Sequence, residues 1–251
     1  MSGQGHAYDP ALPVVVIGCG GHGRVAATAM AATGRRVIAA TDASPDAVRR
    51  ELLGPNANGA VVDVSNGGEA YDAASIAWRQ PGFEILTDQE LVQRYRPDDI
   101  ELVLGVGSLV PCGEGSPRRQ IVGLFRRHGF RFARLVHPAA WVAPDARLGE
   151  GVQVHAGAIV QPGTVLGEFA IVNTRASIDH DCRVGAFCHL APGVSLSGDV
   201  TVGEGTHLGT GCNVIQGLKI GQRAFVAAGA TVVADVDDDA WVRGLPAKRW
   251  R

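Results

Sequence analysis

The sequence predicts an α/β plus β protein: a small parallel α/β sheet followed by a parallel β-helix. Three observations carry this. An aliphatic residue stands at every sixth position from Val136 to Val232, a second interior slot of mostly small residues follows four positions later, and a glycine-rich loop joins a short apolar strand to a helix near the start of the chain. A period of six matches neither 3.6 nor 3.5 and so excludes a helix, while hexapeptide self-similarity is the signature of a parallel β-helix.

The aliphatic run is Val136, Val142, Leu148, Val154, Val160, Leu166, Val172, Ile178, Val184, Leu190, Leu196, Val202, Leu208, Val214, Ile220, Val226 and Val232. Each is expected to point into a narrow prism, and stacking the coils buries one continuous column. The second slot holds, among others, Ala158, Ala170, Ala176, Cys182, Cys188, Thr206, Cys212 and Ala224, small enough for an interior corner. Glycines recur directly after the aliphatic slot (Gly149, Gly167, Gly185, Gly203, Gly209, Gly221), where a tight turn is expected to need a permissive φ.

The first half follows a different pattern. Residues 13–17 read as a buried strand, Gly18-Cys19-Gly20-Gly21-His22-Gly23 as a turn, and 24–32 as an Ala-rich helix. A strand over 37–41 finishes at Asp42. Another at 84–86 precedes a helix opened by a Thr87/Glu90 capping box. Residues 101–106 form a further strand and 117–128 a further helix. The expected division is 1–130 for a Rossmann-like nucleotide-binding domain and 131–251 for the β-helix, closed by the tail after Ala234.

Composition narrows the function. With a net charge of −2 there is no broad basic face for nucleic acid or anionic membrane. No apolar run is long enough for a spanning helix, no secretory leader is visible, and a cytoplasmic protein is expected. No CxxC pair suggests zinc or redox chemistry, so no metal is expected; Cys182, Cys188 and Cys212 read as compact interior hydrophobes.

The glycine loop fits G-x-G-x-x-G between strand and helix. Its glycines let backbone approach a phosphate at a helix N-terminus, and Asp42 is placed to meet a ribose hydroxyl. This points to a nucleotide without saying which. His180 falls on a turn of the repeat, outside both interior slots, so its ring projects from the prism. Flanked by Asp179 and Asp181, it has the surroundings of a general base. One coil spans roughly 18 residues, which puts the Gly198 N–H beside it as a candidate oxyanion donor.

Together, the glycine loop, the run Asn173-Thr174-Arg175-Ala176-Ser177-Ile178-Asp179-His180-Asp181-Cys182, the stretch His189-Leu190-Ala191-Pro192-Gly193 and the ending Arg243-Gly244-Leu245-Pro246-Ala247-Lys248 resemble the NeuD/PglD-type sugar acyltransferases. The resemblance covers nearly the whole chain. It implies a left-handed β-helix that trimerises, with acetyl-CoA bound between subunits and a nucleotide-linked amino-sugar, UDP- or GDP-borne, held by the first domain. The implied reaction is acetyl transfer to the sugar 4-amino group by direct attack, without an acyl-enzyme; some relatives act instead on a hydroxyl, as of sialic acid. It assigns His180 as base with Asp181 behind it, His189 to the acetyl-CoA side, Asn173 to the acceptor sugar, and Thr210 and Ala228 to backbone contacts with coenzyme A. Gly20, Gly21, His22 and Asp42 would take the nucleotide, although relatives often carry serine where Gly20 stands. His207, one coil after His189, is a neighbour.

Three rivals have weaker support. A nucleotide-linked oxidoreductase leaves the β-helix without a role. A zinc enzyme of the γ-carbonic anhydrase type would need converging histidines, and His155, His180, His189 and His207 lack the closely spaced pair of that class. A non-catalytic scaffold would be indifferent to the loss of His180.

Overall fold

Four parallel strands assemble the first unit because their residues, Thr41, Glu84 and Glu101 apart, are apolar, as buried parallel strands require. In the computed structural model, which describes residues 11–46 and 82–249, these are β1 (Val14–Ile17), β2 (Val37–Thr41), β3 (Glu84–Leu86) and β4 (Glu101–Leu104). Their order is β3-β2-β1-β4, all parallel. Helices α1 (Gly21–Ala32) and α2 (Asp88–Arg94) follow β1 and β3. The Thr87 hydroxyl accepts from the Glu90 N–H at 3.1 Å and the Thr87 N–H donates to the Glu90 carboxylate at 2.7 Å, the capping box expected from sequence. The order in which strands are added reverses between β1 and β4, so a topological switch point lies at their carboxyl ends, where ligands of open α/β sheets bind.

The second unit is a left-handed parallel β-helix built from two-residue strands. Ile171 pairs with His189, and His189 with His207, so each coil takes eighteen residues. Three faces result. One carries β7 (Arg147–Leu148), β10 (Val165–Leu166), β13 (Arg183–Val184), β16 (Thr201–Val202) and β19 (Lys219–Ile220). The second carries β5 (Leu135–Val136), β8 (Gln153–Val154), β11 (Ile171–Val172), β14 (His189–Leu190), β17 (His207–Leu208), β20 (Phe225–Val226) and β22 (Trp241–Arg243). The third carries β6 (Trp141–Val142), β9 (Ile159–Val160), β12 (Ser177–Ile178), β15 (Ser195–Leu196), β18 (Asn213–Val214) and β21 (Thr231–Val232). The last strand, β23 (Lys248–Arg249), turns antiparallel onto β22 and closes that face; residues 250 and 251 of the expected cap lie outside the described part.

Both interior slots are filled as the period demands, with Val160, Ile178, Leu196 and Val214 in one column and Ala158, Ala176, Val194 and Cys212 in another, all buried. The few polar atoms in the second slot are satisfied by one rule. Thr164, Cys182, Cys188 and Thr206 each donate to the carbonyl fifteen residues on, Asp179, Ser197, Gly203 and Gly221 respectively, at 2.7–3.2 Å. Buried donors paired in this way cost the core little.

The glycines directly after the aliphatic slot do not have the role expected of them. None of Gly149, Gly167, Gly185, Gly203, Gly209 and Gly221 has a positive φ. What each needs is space: a Cβ on Gly185 would stand 2.6 Å from the Glu204 nitrogen of the next coil, and one on Gly167 2.5 Å from that of Ala186. The left-handed conformation falls two positions later. There Gly151, Gly157, Gly163, Gly193, Gly205 and Gly211 share the position with Phe169, Arg175, Asp181, Phe187 and Asp199, all at φ between 56° and 72°.

Residues 106–127 pack with the β-helix and not with the α/β unit that precedes them in sequence, which the sequence division placed together. Helix α3 (Pro117–Arg127) makes this attachment through arginines. The buried Arg118 guanidinium donates to the carbonyls of Phe169 and Phe187, whose stacked rings are 5.0 Å apart. Arg119 lies over the Phe187 ring and pairs with Glu204; Arg126 lies over Phe169 and bridges Glu150 and Glu168. Burial lowers the Arg118 pKa to about 10, the cost of holding a cation among carbonyls and aromatic faces.

Candidate active site

The glycine loop divides its work among its members. Gly18 turns the chain at φ 100°, and its carbonyl is approached so closely by Gly23 and Gly105 that neither could carry a Cβ. These three set the packing of α1 on β1 and β4. Gly20 and Gly21 are different, with nothing within 4 Å of where a side chain would stand. Gly20 is the N-cap of α1 and offers no side-chain cap, and His22 sits in the first turn. The open backbone thus lies at the end of a helix, where the N–H groups and dipole favour an anion. Asp42 follows β2 and its carboxylate accepts the Ser44 N–H at 2.8 Å. It is close enough to reinforce the effect of burial on the neighbouring Cys19 thiol, which is pushed up to about 12. The four residues expected to take a nucleotide therefore gather at the carboxyl end of the first unit's sheet.

In the second unit the turn after β12 (Ser177–Ile178) carries His180 and Asp181. His180 Nδ1 donates to Asp181 Oδ2 at 2.9 Å, and the His180 backbone N–H to Asp179 Oδ1 at 2.8 Å. Asp181 has φ 60°, and this left-handed turn swings its carboxylate alongside the imidazole. The ring is exposed, with Nε2 unencumbered by Asp181. The hydrogen bond to Asp181 raises its pKa above the usual imidazole value, against an opposing desolvation and with help from the charges of Asp179, Asp181 and Asp199.

Gly198 sits one coil on, directly against this ring: a Cβ there would stand 2.5 Å from His180 Nε2. The Asp199 N–H donates to the His180 carbonyl at 2.9 Å, which fixes the register, and among the described residues the Gly198 N–H donates to no protein group. One coil before, Gly163 leaves space for the Asp181 carboxylate, whose Oδ1 would collide with any side chain there. The sequence reading left Gly163 out, although its spacing of one coil from Asp181 carries the signal. The pair His180–Asp181 is thus bracketed by two glycines, and the arrangement offers a basic imidazole nitrogen beside an open N–H.

Asn173, His189, Thr210 and Ala228 form a second group. Asn173, Thr210 and Ala228 follow strands of the face that carries β11 and β14, on its edge toward the β12 face, whereas His180 lies on the far edge of the β12 face. Thr210 and Ala228 stack one coil apart, the Gly229 N–H donating to the Thr210 carbonyl at 2.8 Å. Asn173 and His189, expected to serve different ligands, are hydrogen-bonded to each other at 3.2 Å. His189 is buried under the segment after β4, whose Ser108 carbonyl accepts from its Nδ1 at 2.8 Å. No sequence signal marks Ser108, because the group involved is backbone. Behind His189 runs a column of rings: His207 edge-on at 5.0 Å, then Phe225 and Trp241 stacked. Burial lowers the His207 pKa to about 4, so it stays neutral within that stack.

All five cysteines are buried, and burial raises the thiols of Cys182, Cys188 and Cys212 to about 11–12. They are poor nucleophiles where they stand. Among the described residues no group of three or more His, Cys, Asp or Glu side chains could hold a metal ion, and no helix is long and apolar enough to cross a membrane.

No family model and no curated protein sequence matches the chain. Solved structures do. The acetyltransferase domain of PglB from Neisseria gonorrhoeae FA1090, in complex with acetyl coenzyme A, is 33% identical over 96% of this chain and 100% of that one, with a TM-score of 0.74. PerB from Caulobacter crescentus, in complex with CoA and GDP-perosamine, is 35% identical over 95% of this chain and 97% of that one, also at 0.74. WeeI from Acinetobacter baumannii AYE, at 18% identity and a TM-score of 0.66, shares the fold. With a third of residues identical over nearly the full length of two acetyltransferases, the chain belongs to the NeuD/PglD-type sugar acetyltransferases.

Proposed function

We propose that the protein transfers the acetyl group of acetyl-CoA to the 4-amino group of a nucleotide-linked amino-deoxy sugar. The observation that carries this reading is the His180–Asp181 pair set against the open Gly198 N–H. Support comes from the relatives, one bound to acetyl coenzyme A and another to CoA with GDP-perosamine. The Caulobacter GDP-perosamine N-acetyltransferase has also been solved with one histidine replaced by alanine or asparagine.

In the reaction the sugar amine attacks the thioester carbonyl carbon. His180 Nε2 takes the proton the amine loses, and Asp181 stabilises the imidazolium through Nδ1. The Gly198 N–H donates to the developing oxyanion. Collapse breaks the C–S bond, and the proton on His180 passes to the departing thiolate, giving free CoA thiol and the amide. The Gly20–His22 turn and Asp42 hold the nucleotide of the acceptor; the backbone near Thr210 and Ala228 holds coenzyme A.

The test is thiol release from acetyl-CoA, read with a chromogenic disulfide over GDP- and UDP-linked 4-amino-6-deoxy sugars, CMP-sialic acid and free sialic acid. Turnover is expected with one of the amino-sugars. Enzyme alone should give no colour, since its described cysteines are buried. Release only with a hydroxyl acceptor would replace N-acetylation by O-acetylation, and release with none would sink the reading.

We also propose a homotrimer with the active site between subunits. His180 and Asn173 occupy opposite edges of one face, so a site that uses both kinds of group draws them from two copies. Mixing His180→Ala with Asn173→Ala protein, after dissociation and reassembly, should therefore restore part of the activity each lacks. If the mixture stays as inactive as its components, the shared site is wrong.

A further inference from the structure

The hydrogen bonds around Asn173 leave it a single role. An asparagine amide has two N–H donors and one oxygen acceptor. The Asn173 oxygen is taken by Thr174, through its backbone N–H at 2.8 Å and its hydroxyl at 3.3 Å. One of its N–H groups donates to His189 Nε2 at 3.2 Å. His189 can accept there because its proton is on Nδ1, directed at the Ser108 carbonyl 2.8 Å away. Which imidazole nitrogen carries the proton is set by the partner of the other, and a backbone carbonyl is only an acceptor. Ser108 thus fixes the His189 tautomer, the tautomer fixes which way the Asn173 amide faces, and Thr174 holds the same orientation from the oxygen side.

The remaining pieces keep the chain of bonds in place. The segment bearing Ser108 is tied down by the Cys112 N–H, which donates to the Gly205 carbonyl at 2.7 Å. His207 packs edge-on behind the His189 ring and presents it no cation. Among the described residues, one N–H of Asn173 is left without a protein partner.

We propose that Ser108, His189 and Thr174 lock Asn173 as a hydrogen-bond donor to an oxygen of the acceptor sugar, with His189 and Thr174 as positioning residues that do not touch that sugar. The lock stands on the hydrogen bonds alone; the identity of the ligand rests on the acetyl-transfer reading. A locked donor suits a hydroxyl, ring or carbonyl oxygen and offers nothing to an ammonium group. It therefore helps to present the sugar by its oxygens while leaving the amine to His180.

The experiment pairs a spectrum with kinetics. In protein labelled with ¹⁵N-histidine, the His189 ring should be neutral and protonated on Nδ1 at neutral pH. In Asn173→Asp the new carboxylate can only accept, so His189 must carry both protons and become an imidazolium. His189→Phe keeps the aromatic column but frees Asn173. In that variant the KM for the amino-sugar that turns over should rise at least tenfold, and by more than the KM for acetyl-CoA. A wild-type ring protonated on Nε2, or a neutral His189 in Asn173→Asp, would overturn the lock. An intact lock with an unchanged sugar KM in His189→Phe would overturn the assignment of its ligand. Should no sugar turn over, the acetyl-transfer reading fails on its own account. The ring spectrum then decides the lock, and the Asn173 side-chain amide signal, shifted or unshifted by GDP- or UDP-linked amino-sugar, decides its ligand.

Discussion

Replacing His180 by alanine should lower kcat by about 10²–10⁴, the usual share of a positioned general base, and leave the thermal transition where it is. The residue projects from a turn, with its side chain 61% exposed, and takes no part in the interior columns, so the fold does not depend on it. The pH dependence gives a second readout. The base works as the neutral imidazole, so activity is lost as pH falls through its pKa. Because the Asp181 hydrogen bond, with the charges of Asp179 and Asp199, raises that pKa, the ascending limb should lie above the usual imidazole range. Asp181→Asn removes the largest of these influences, so its limb should move to lower pH while the maximal rate falls. A rate profile that is flat across this range, or a His180→Ala enzyme within a few-fold of wild type, would rule out the imidazole as base.

How much of this was readable beforehand depends on the kind of bond involved. The period of six names the interior residues, and eighteen residues per coil follows from it, so the juxtaposition of His180 with Gly198 and of His189 with His207 needs only counting. Gly163 under Asp181 obeys the same count. Backbone carbonyls break the chain of inference. Ser108 holds His189 through a carbonyl that every residue type possesses, and Arg118 docks α3 on the carbonyls of Phe169 and Phe187. Nothing in the residue pattern of α3 tells which unit will supply those acceptors. The pairing of Asn173 with His189 was missed for a related reason: sixteen residues separate them, one coil less two, and the contact depends on side-chain direction across a corner.

The glycines of the β-helix separate two physical demands that look alike in sequence, and substitution should tell them apart. Gly185→Ala should destabilise the protein severely, by about 3 kcal/mol, the upper end of the usual scale for overpacked cores. Its Cβ would stand 2.6 Å from the Glu204 nitrogen, and what must yield is backbone in the neighbouring coil, not the end of a flexible side chain. That coil is hydrogen-bonded above and below, with the Gly185 N–H donating to the Val202 carbonyl and the Gly203 N–H to that of Ile220, so a displacement propagates along the stack. Gly211→Ala makes the opposite demand. At φ 65° the residue is left-handed, yet nothing lies within 4 Å of its absent Cβ. The cost should be the intrinsic penalty of that conformation, about 1–2 kcal/mol, which Phe169, Asp181 and Phe187 already bear at equivalent positions. Chemical denaturation of the two variants measures the difference directly. Equal losses would mean that backbone conformation, and not the approach of adjacent coils, requires glycine after the aliphatic slot. A large loss confined to Gly185→Ala would show that this glycine lets one coil settle on the next at the distance its hydrogen bonds require. The register that places Gly198 against His180 depends on that same spacing.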